Sequence, residues 1–500
     1  MRFYTSNNRA APAWTCPGEN GSETEHQIIE AGWFRVNRRN VLTSAAGGVG
    51  MLALKQLMAE DTASNHGRLS APTTHHVPRA KSVILLFQNG GPSQMDLFDP
   101  KPELARQQGR PYPGKVEAHF DKQVRNLLAS PFRFVPRGGC GMELSETLPH
   151  LGGIADDITL VRSMVTDSVD HEQALRVIHT GNPFAGKASW GSWVVYGLGT
   201  MREELPAYVV LTDPAGLPID GTRNWSAGFL PAVYQGTQFR SQGSAVLNLS
   251  TPGDVSPLAR RHQFDLLRQL NAEHLKGQPQ DAELQARISN YELAARMQSA
   301  VPAVLDIGRE TQLTRRLYGL DNPVTADYGK RCLMARRLVE QGVRFVSIYL
   351  QSQPWDTHSK NAQSLRGLCA RTDQPAAALV TDLKRRGLLD STIVVFAGEF
   401  GRLPVSQGPD GRDHNRHGFS VWLAGGGFKR GYVHGATDEL GYQSVEDVVS
   451  VHDLHATLLH ALGLDHRRLH YPHEGRDDSL TDEPVTGAEV AAALLETTSA

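Results

Sequence analysis

Cysteine is scarce in this sequence, with four residues in 500. Cys16, Cys140, Cys332 and Cys369 lie far apart and form no Cys-x-x-Cys pair, which argues against a zinc knuckle or a dense disulfide framework and leaves a single bridge open. Aromatic residues are also few, at 7%. The apolar share of 40% is nevertheless large enough for a sizeable packed core, so the chain is not of the disordered class.

Long apolar runs and basic blocks are missing as well. No apolar run is long enough to cross a bilayer as a stable helix, which predicts a mature chain without a transmembrane segment. The net charge is −2, and no basic block follows the N-terminal region, so we expect no nucleic acid among the partners.

The N-terminal region has the layout of an export signal. Paired arginines, Arg38 and Arg39, precede a short apolar stretch of small residues, as in twin-arginine signals. The alternative is the start of a basic surface helix, but three glycines within the stretch argue against a stable helix. We therefore predict an exported protein, periplasmic or extracellular, with an N-terminal extension over 1–36, a signal over 37–60 and a linker over 61–80.

Two similar stretches organise the rest of the chain, Lys81 to Pro102 and Ser391 to Arg402. In each, five or six consecutive apolar residues stop at a polar, glycine-rich turn, which is typical of a strand buried on both faces of a parallel sheet. Ligands of open α/β sheets bind at such strand ends. We therefore expect one rim of one sheet to hold Asn89, Gly90, Ser93, Asp96, Glu399 and Arg402.

Helical and strand-like segments alternate along the chain, which predicts an α/β fold with a mostly parallel central sheet and helices on both faces. One domain is predicted over 81–476, with a helical insertion over about 257–312 that packs as a layer, a loop over 213–243 that covers the rim, and a C-terminal tail over 477–500. The main strands are predicted at 157–162, 207–212, 343–350, 392–397 and 420–424, and the main helices at 170–181, 326–341, 374–386 and 451–462.

Acidic and imidazole groups follow several of these strands. Asp356 and His358 form an Asp-x-His pair after one strand, and Glu399 and His414 follow another. An isolated pair of this kind is more often a cap or a hydrogen-bonded pair, so the prediction depends on the groups converging. A mixed carboxylate and imidazole set suits zinc, manganese or iron(II), with calcium a less suitable candidate.

Several motifs resemble a known superfamily. The segment Ser450 to Asp465 resembles the last shared helix of the alkaline phosphatase and sulfatase superfamily, and Trp422 to Val433 resembles the glycine turn before it. More closely, the whole chain after the signal resembles the exported, sulfatase-related family called domain of unknown function 1501, through NGGPSQMDLFDPKP, GSWVVYGLG, GEFGR, GRDH, AGGGFKRG and GATDE.

This resemblance implies a divalent metal and an anionic ester. The position that holds the attacking Cys, Ser or Thr in the superfamily falls on His171, and Phe400 stands where the superfamily usually has His or Asn. By position, the resemblance implies the metal ligands Asn89, Asp356, His358, Glu399 and His414.

Two hypotheses follow. The first is an exported, metal-dependent hydrolase that acts on a small sulfate or phosphate ester or on a sulfated or phosphorylated glycan. Its helix start at His171 is an anion site, and Arg402 either steadies an oxyanion or pairs with Glu399 or Asp413. The second is a catalytically silent extracytoplasmic binding or assembly protein with the same fold, which the missing nucleophile favours.

Overall fold

The computed structural model describes residues 74–120, 124–243, 245–246, 256–278 and 281–497. The predicted N-terminal extension, the export signal and residues 61–73 of the predicted linker, with Cys16, lie outside the described residues. Residues 74–80, the rest of that linker, form neither helix nor strand. Over the described part of the chain, no helix has both the length and the apolar character needed to cross a membrane.

The strands fall into one large sheet and several small ones. In chain order they are β1 Ser82–Phe87, β2 Val124–Leu127, β3 Phe134–Arg137, β4 Met142–Ser145, β5 Ile158–Val165, β6 Tyr208–Leu211, β7 Thr237–Phe239, β8 Phe345–Tyr349, β9 Thr392–Ala397, β10 Gly401–Gln407, β11 Gly411–Asn415, β12 Phe419–Ala424, β13 Tyr432–His434, β14 Ala436–Thr437, β15 Ser444–Glu446, β16 Val449–Ser450, β17 Tyr471–His473 and β18 Arg476–Asp478.

The α-helices lie mostly between strands of the large sheet. In chain order they are α1 Gln94–Leu97, α2 Pro102–Arg106, α3 Pro149–Gly152, α4 His171–Thr180, α5 Trp190–Leu198, α6 Pro257–Gly277, α7 Ala282–Leu305, α8 Gln312–Leu317, α9 Ala326–Glu340, α10 Asn361–Arg385, α11 Val451–Ala461 and α12 Glu483–Thr486.

The large sheet has nine strands in the order β13-β5-β12-β9-β1-β8-β6-β7, with β16 also paired to β5. Among these strands, β12 alone runs antiparallel to its neighbours. The fold is therefore α/β with a mostly parallel central sheet, and the predicted fold class is confirmed.

Burial on both faces explains the continuous apolar runs. Along β1 every residue is buried, and alternate side chains enter two different hydrophobic clusters, with Ile84 and Leu86 in one and Val83 and Leu85 in the other. A strand with a helical layer on each face has no polar side, so its sequence does not alternate.

The register of the central strands sets the position of the site. Phe87 at the end of β1 lies beside Tyr349 at the end of β8 and beside Ala397 at the end of β9. The three loops that follow therefore leave the same edge of the sheet. They carry Asn89, Asp356 and Glu399, as the strand pattern predicts.

Residues 401–415, predicted to continue the loop after β9, instead form the antiparallel hairpin of β10 and β11. Pro404 and several polar residues conceal β10 in the sequence, since proline is rare inside regular strands. The hairpin accommodates this proline next to a register shift between Arg402 and Ser406. It carries Arg402 and His414 on a small sheet beside the rim.

Other predicted elements were wrong in extent. Helix α10 begins at Asn361 and runs through Pro375, whereas the prediction began it at 374. The segment predicted as a loop over 213–243 contains β7, which forms one edge of the sheet. In the predicted helical layer, α6 exposes Leu266, Leu267 and Leu270 to solvent rather than packing them.

Candidate metal centre

Three side chains, two from the loop after β8 and one from β11, place one atom each around a common point. Oδ1 of Asp356 lies 2.9 Å from Nε2 of His358 and 3.2 Å from Nε2 of His414, and the two nitrogens are 3.0 Å apart. Ligand atoms of a tetrahedral zinc site at about 2.0–2.1 Å from the ion are separated by roughly 3.3 Å. The three atoms are therefore spaced closely enough to share one cation.

The other nitrogen of each imidazole fixes its tautomer. Nδ1 of His414 donates to the carbonyl oxygen of Val169 at 2.6 Å, and Nδ1 of His358 donates to Oε1 of Gln407. A ring whose Nδ1 carries the proton presents a lone pair at Nε2. Three lone-pair atoms thus face one another at the site, an arrangement that a shared cation would stabilise.

His171 begins α4, where Asp170 caps the helix by accepting from the backbone N–H of Gln173. Its Nδ1 hydrogen-bonds Oε1 of Glu399 at 2.7 Å, and its Nε2 lies 3.4 Å from Oδ2 of Asp356, an ion-pair distance without hydrogen-bond geometry. Burial lowers the pKa of His171, but Asp356 and Glu399 outweigh burial and raise the pKa to about 9.

Glu399 is fully buried, and both of its carboxylate oxygens accept the backbone N–H of Gly90, at 2.8 and 3.0 Å. Gly90 has φ of +108°, and a Cβ there would lie 2.5 Å from the backbone nitrogen of Asp356. Only a glycine at position 90 allows the loop after β1 to approach the loop of Asp356 this closely. As placed, Glu399 orients His171, and its role as a metal ligand stays a prediction.

Arg402 is fully buried, and its guanidinium is surrounded by acceptors. Its Nη2 lies 2.8 Å from Oδ1 of Asp356 and also donates to the carbonyl oxygen of Gly90. The other two nitrogens donate to backbone carbonyl oxygens, Nε to that of Gly91 at 2.9 Å and Nη1 to that of Arg412 at 3.2 Å. Its carboxylate partner is therefore Asp356 rather than Glu399 or Asp413. The burial of Arg402 keeps the Asp356 carboxylate in place, and its oxyanion role stays a prediction.

Asn89 follows β1 and is fully buried. Its Nδ2 donates to the carbonyl oxygens of Leu350 and Ser352, at 2.6 and 2.7 Å. Its Oδ1 is buried and has no hydrogen-bond partner among the described residues. Because an unpaired buried oxygen is costly, this atom is a further candidate ligand for a cation.

Sequence reasoning missed the role of Asp413 beside His414. Its Oδ1 accepts the backbone N–H of His414 at 2.9 Å and lies 3.9 Å from Nδ1 of His358. Over the described ranges, two further groups of three potential ligands lie within 4.8 Å of one another: His171 with Asp356 and His414, and His358 with Asp413 and His414. The motif GRDH contains the signal, since it puts a carboxylate next to the imidazole.

A second missed feature holds the hairpin in place. Arg412 and Asp96 are both fully buried and form a bidentate pair, with Nε to Oδ2 at 2.8 Å and Nη2 to Oδ1 at 3.0 Å. Asn361 and Ser93 donate to the same carboxylate. This pair connects α1 after β1 to β11, and thereby fixes the strand that carries His414.

The donor set fits a transition-metal ion. Imidazole nitrogen and carboxylate oxygen together suit zinc, manganese or iron(II), whereas calcium takes six to eight oxygen ligands. Oδ1 of Asn89, buried and without a hydrogen-bond partner among the described residues, is a further candidate oxygen for the set. The residues present therefore fit a divalent metal, and calcium fits them least.

Comparisons with known proteins give a family and distant structures. The model of a family described as a protein of unknown function (DUF1501) matches residues 80–494. No curated protein matches the sequence.

The similar solved structures include a sulfatase from Pseudoalteromonas sp. (12% identity, TM-score 0.33, 77% of this chain and 68% of that one). They also include a phosphonate monoester hydrolase from Silicibacter pomeroyi (13% identity, TM-score 0.31, 82% of this chain and 77% of that one). A third is a lipoteichoic acid synthase from Listeria monocytogenes (10% identity, TM-score 0.35, 81% of this chain and 78% of that one). At these scores, the similarities carry no conclusion about activity.

Proposed function

The chain belongs to the family described as protein of unknown function (DUF1501), and we propose that it is an exported, metal-dependent hydrolase of sulfate or phosphate esters. The observation that carries the proposal is the cluster of Asp356, His358 and His414, whose three lone-pair atoms lie 2.9–3.2 Å apart. A cluster of this kind is stable when a cation occupies it, and divalent cations at such sites serve ester hydrolysis.

Asp356, His358 and His414 would hold the metal, with Asn89 Oδ1 as a further ligand. Glu399, a metal ligand by resemblance, has both oxygens on the N–H of Gly90, so in this proposal its main task is to orient His171. A bound divalent ion would polarise the ester and make water acidic enough to act near neutral pH.

His171 lies where an attacking hydroxyl or thiol would otherwise stand, at the start of α4. Its Nδ1 is held by Glu399, so Nε2 is the atom left to face the centre. We propose that His171 binds the anionic group or gives a proton to the leaving oxygen. Arg402 acts through Asp356, because its buried guanidinium holds that carboxylate.

The substrate in this proposal is a small anionic ester or a sulfated or phosphorylated glycan. Export by the twin-arginine route, to the periplasm or the extracellular space, belongs to the proposal too. Twin-arginine export transports folded proteins, so the metal would be bound before the chain leaves the cytoplasm.

The second candidate is a catalytically silent binding or assembly protein. The feature that favours it is His171 itself, because its two nitrogens face Glu399 and Asp356 and the side chain is not a nucleophile. In this case the cluster would bind a metal for stability, with no turnover.

Metal content and turnover separate the two. The full chain is purified with zinc, manganese or iron(II) supplied in turn, its metal is measured by mass spectrometry, and aryl sulfates and aryl phosphates are assayed. The hydrolase proposal expects one or more ions per chain and turnover that Asp356→Ala abolishes, while Asp390→Ala, the same change at an exposed aspartate, retains both. Less than stoichiometric metal overturns the metal centre, and stoichiometric metal without turnover supports the silent alternative.

A further inference from the structure

The cluster of Asp356, His358 and His414 is partly exposed to solvent, chiefly at His358. The side chain of His358 is 26% exposed, whereas those of His171 and Asp356 are 11% exposed and those of His414, Glu399 and Arg402 are nearly or fully buried. His358 is therefore the most accessible side chain of the cluster, and a substrate would approach the centre past it. What borders His358 on this side decides which substrates are accepted.

Two aromatic rings from the segment before residue 121 border that side. Phe120 and His358 make an edge-to-face contact, with ring centroids 5.3 Å apart at 80°. His119 stacks on His414, with centroids 5.0 Å apart at 23°. The rings of His119 and Phe120 are themselves 4.5 Å apart at 84°, so they form the two walls of a right-angled corner.

The corner is fixed in place rather than loosely attached. The backbone N–H of Phe120 donates to Oδ2 of the buried Asp413 at 2.7 Å. Glu117, three residues earlier, accepts from Nε of Arg416 at 2.9 Å and donates its backbone N–H to Tyr442 at 3.0 Å. Phe120 is nevertheless 40% exposed, although burying its ring would be favourable. An exposed phenylalanine held beside a catalytic opening is a ready surface for a ligand ring.

We infer that Phe120 and His119 form a ring-binding corner, so that the ester substrate carries a six-membered ring next to its anionic group. The ring packs on Phe120 and His119 while the anion reaches His171 and the metal. This inference rests on the proposed function, since the anion site is the centre described above. The shared chemistry is the apolar face of a six-membered ring, supplied either by an aryl group or by a sugar.

The test measures binding, so it does not depend on turnover. Phenylphosphonate, cyclohexylphosphonate and methylphosphonate are titrated by calorimetry into the full chain with zinc. The wild type should bind phenylphosphonate about 2- to 10-fold more tightly than methylphosphonate, the range expected of one ring contact. Phe120→Leu should lose this preference, and His119→Ala should reduce it. Phe184→Leu, the same change at a phenylalanine that is 74% exposed in another loop, should keep it.

The outcomes distinguish the inference from the proposed function. Equal binding of phenyl- and methylphosphonate by the wild type, a preference that survives Phe120→Leu, or no binding of any of the three overturns the corner. If cyclohexylphosphonate binds as tightly as phenylphosphonate, the corner accepts a saturated, sugar-type ring. If it binds only as weakly as methylphosphonate, the corner accepts an aryl ring, and both results support the corner. A preference for the ring without turnover of any ester overturns the hydrolase proposal and supports the ring-binding corner. Turnover without a preference for the ring overturns the corner and supports the hydrolase proposal.

Discussion

The Nε2 atoms of His358 and His414 lie 3.0 Å apart, although the hydrogen bonds at both Nδ1 atoms leave each Nε2 with a lone pair. Two lone pairs at this distance repel each other, and Oδ1 of Asp356 adds a third. A shared proton can form a hydrogen bond between two of these atoms, whereas a divalent metal can accept the lone pairs of all three.

Replacing His358 should therefore weaken metal binding. His358→Ala removes one of the three donors, and we expect the zinc affinity of the full chain to fall by at least about 100-fold, beyond the effect of losing an outer-shell partner. Competition with a zinc chelator measures this. His470→Ala, at an exposed histidine outside the cluster, is the matched control and should leave the affinity unchanged. An unchanged affinity in His358→Ala would remove this residue from the ligand set.

Gly90→Ala should destabilise the protein strongly. The new Cβ would lie 2.5 Å from the backbone nitrogen of Asp356, at a φ of +108° that L-residues rarely adopt. Strain and overpacking together should lower the free energy of unfolding by about 2–5 kcal/mol. Urea denaturation followed by tryptophan fluorescence measures the change.

Gly109→Ala is the control for this change. Gly109 also has a positive φ, of +79°, but among the described residues no heavy atom other than those of its chain neighbours lies within 4 Å of its added Cβ. Gly109→Ala should lower the free energy of unfolding by about 1–2 kcal/mol, because it introduces backbone strain without a steric clash. Equal costs at the two positions would show that the close approach of the Gly90 and Asp356 loops is unimportant.

Breaking the buried pair of Asp96 and Arg412 should cost far more than breaking a surface pair. Arg412→Met leaves the Asp96 carboxylate buried without its guanidinium, and we expect a loss of about 3–5 kcal/mol in the free energy of unfolding. Arg106→Met, which removes an exposed ion pair with Glu103, should cost less than about 1 kcal/mol. Similar losses from the two variants would mean that the buried pair does not fix the hairpin.

The stability of the chelator-treated protein should fall as the pH rises above neutral. The pKa of His171 is about 9 in the folded state and about 6.5 when unfolded, so the folded state binds the proton more tightly. The stabilisation is present in full below about pH 6.5 and is lost as the pH rises through 9.

The His171→Asn variant isolates this effect. The difference in unfolding free energy between wild type and variant should shrink by up to about 3 kcal/mol from pH 6 to pH 9.5, in urea titrations of chelator-treated protein. A difference that is independent of pH would show that Asp356 and Glu399 do not hold a proton on His171.

The sequence predicts the central sheet well because its signal is local. The apolar runs that form β1 and β9 are continuous, and each stops at a polar turn, so β9 has its predicted bounds and β1 lies within the predicted stretch Lys81 to Pro102. The same logic predicts that Asn89, Asp356 and Glu399 share one edge, since parallel strands end together.

The contacts that arrange the site were not predictable in this way. The Nδ1 of His171 meets Glu399, 228 residues later, and Arg412 meets Asp96, 316 residues earlier. Pairings at such separations leave no periodic trace in the sequence. The hairpin of β10 and β11 was missed for a different reason, because Pro404 and the polar residues around it give no strand signal.

The centre draws on β11, which ends at Asn415, and on loops hundreds of residues earlier. A ribosome adds residues in order, so the three donor atoms cannot meet until the chain has been synthesised as far as His414. Any cation that the centre binds must therefore be loaded after His414 has been added, and a truncated product that stops before His414 would lack one of the three donors.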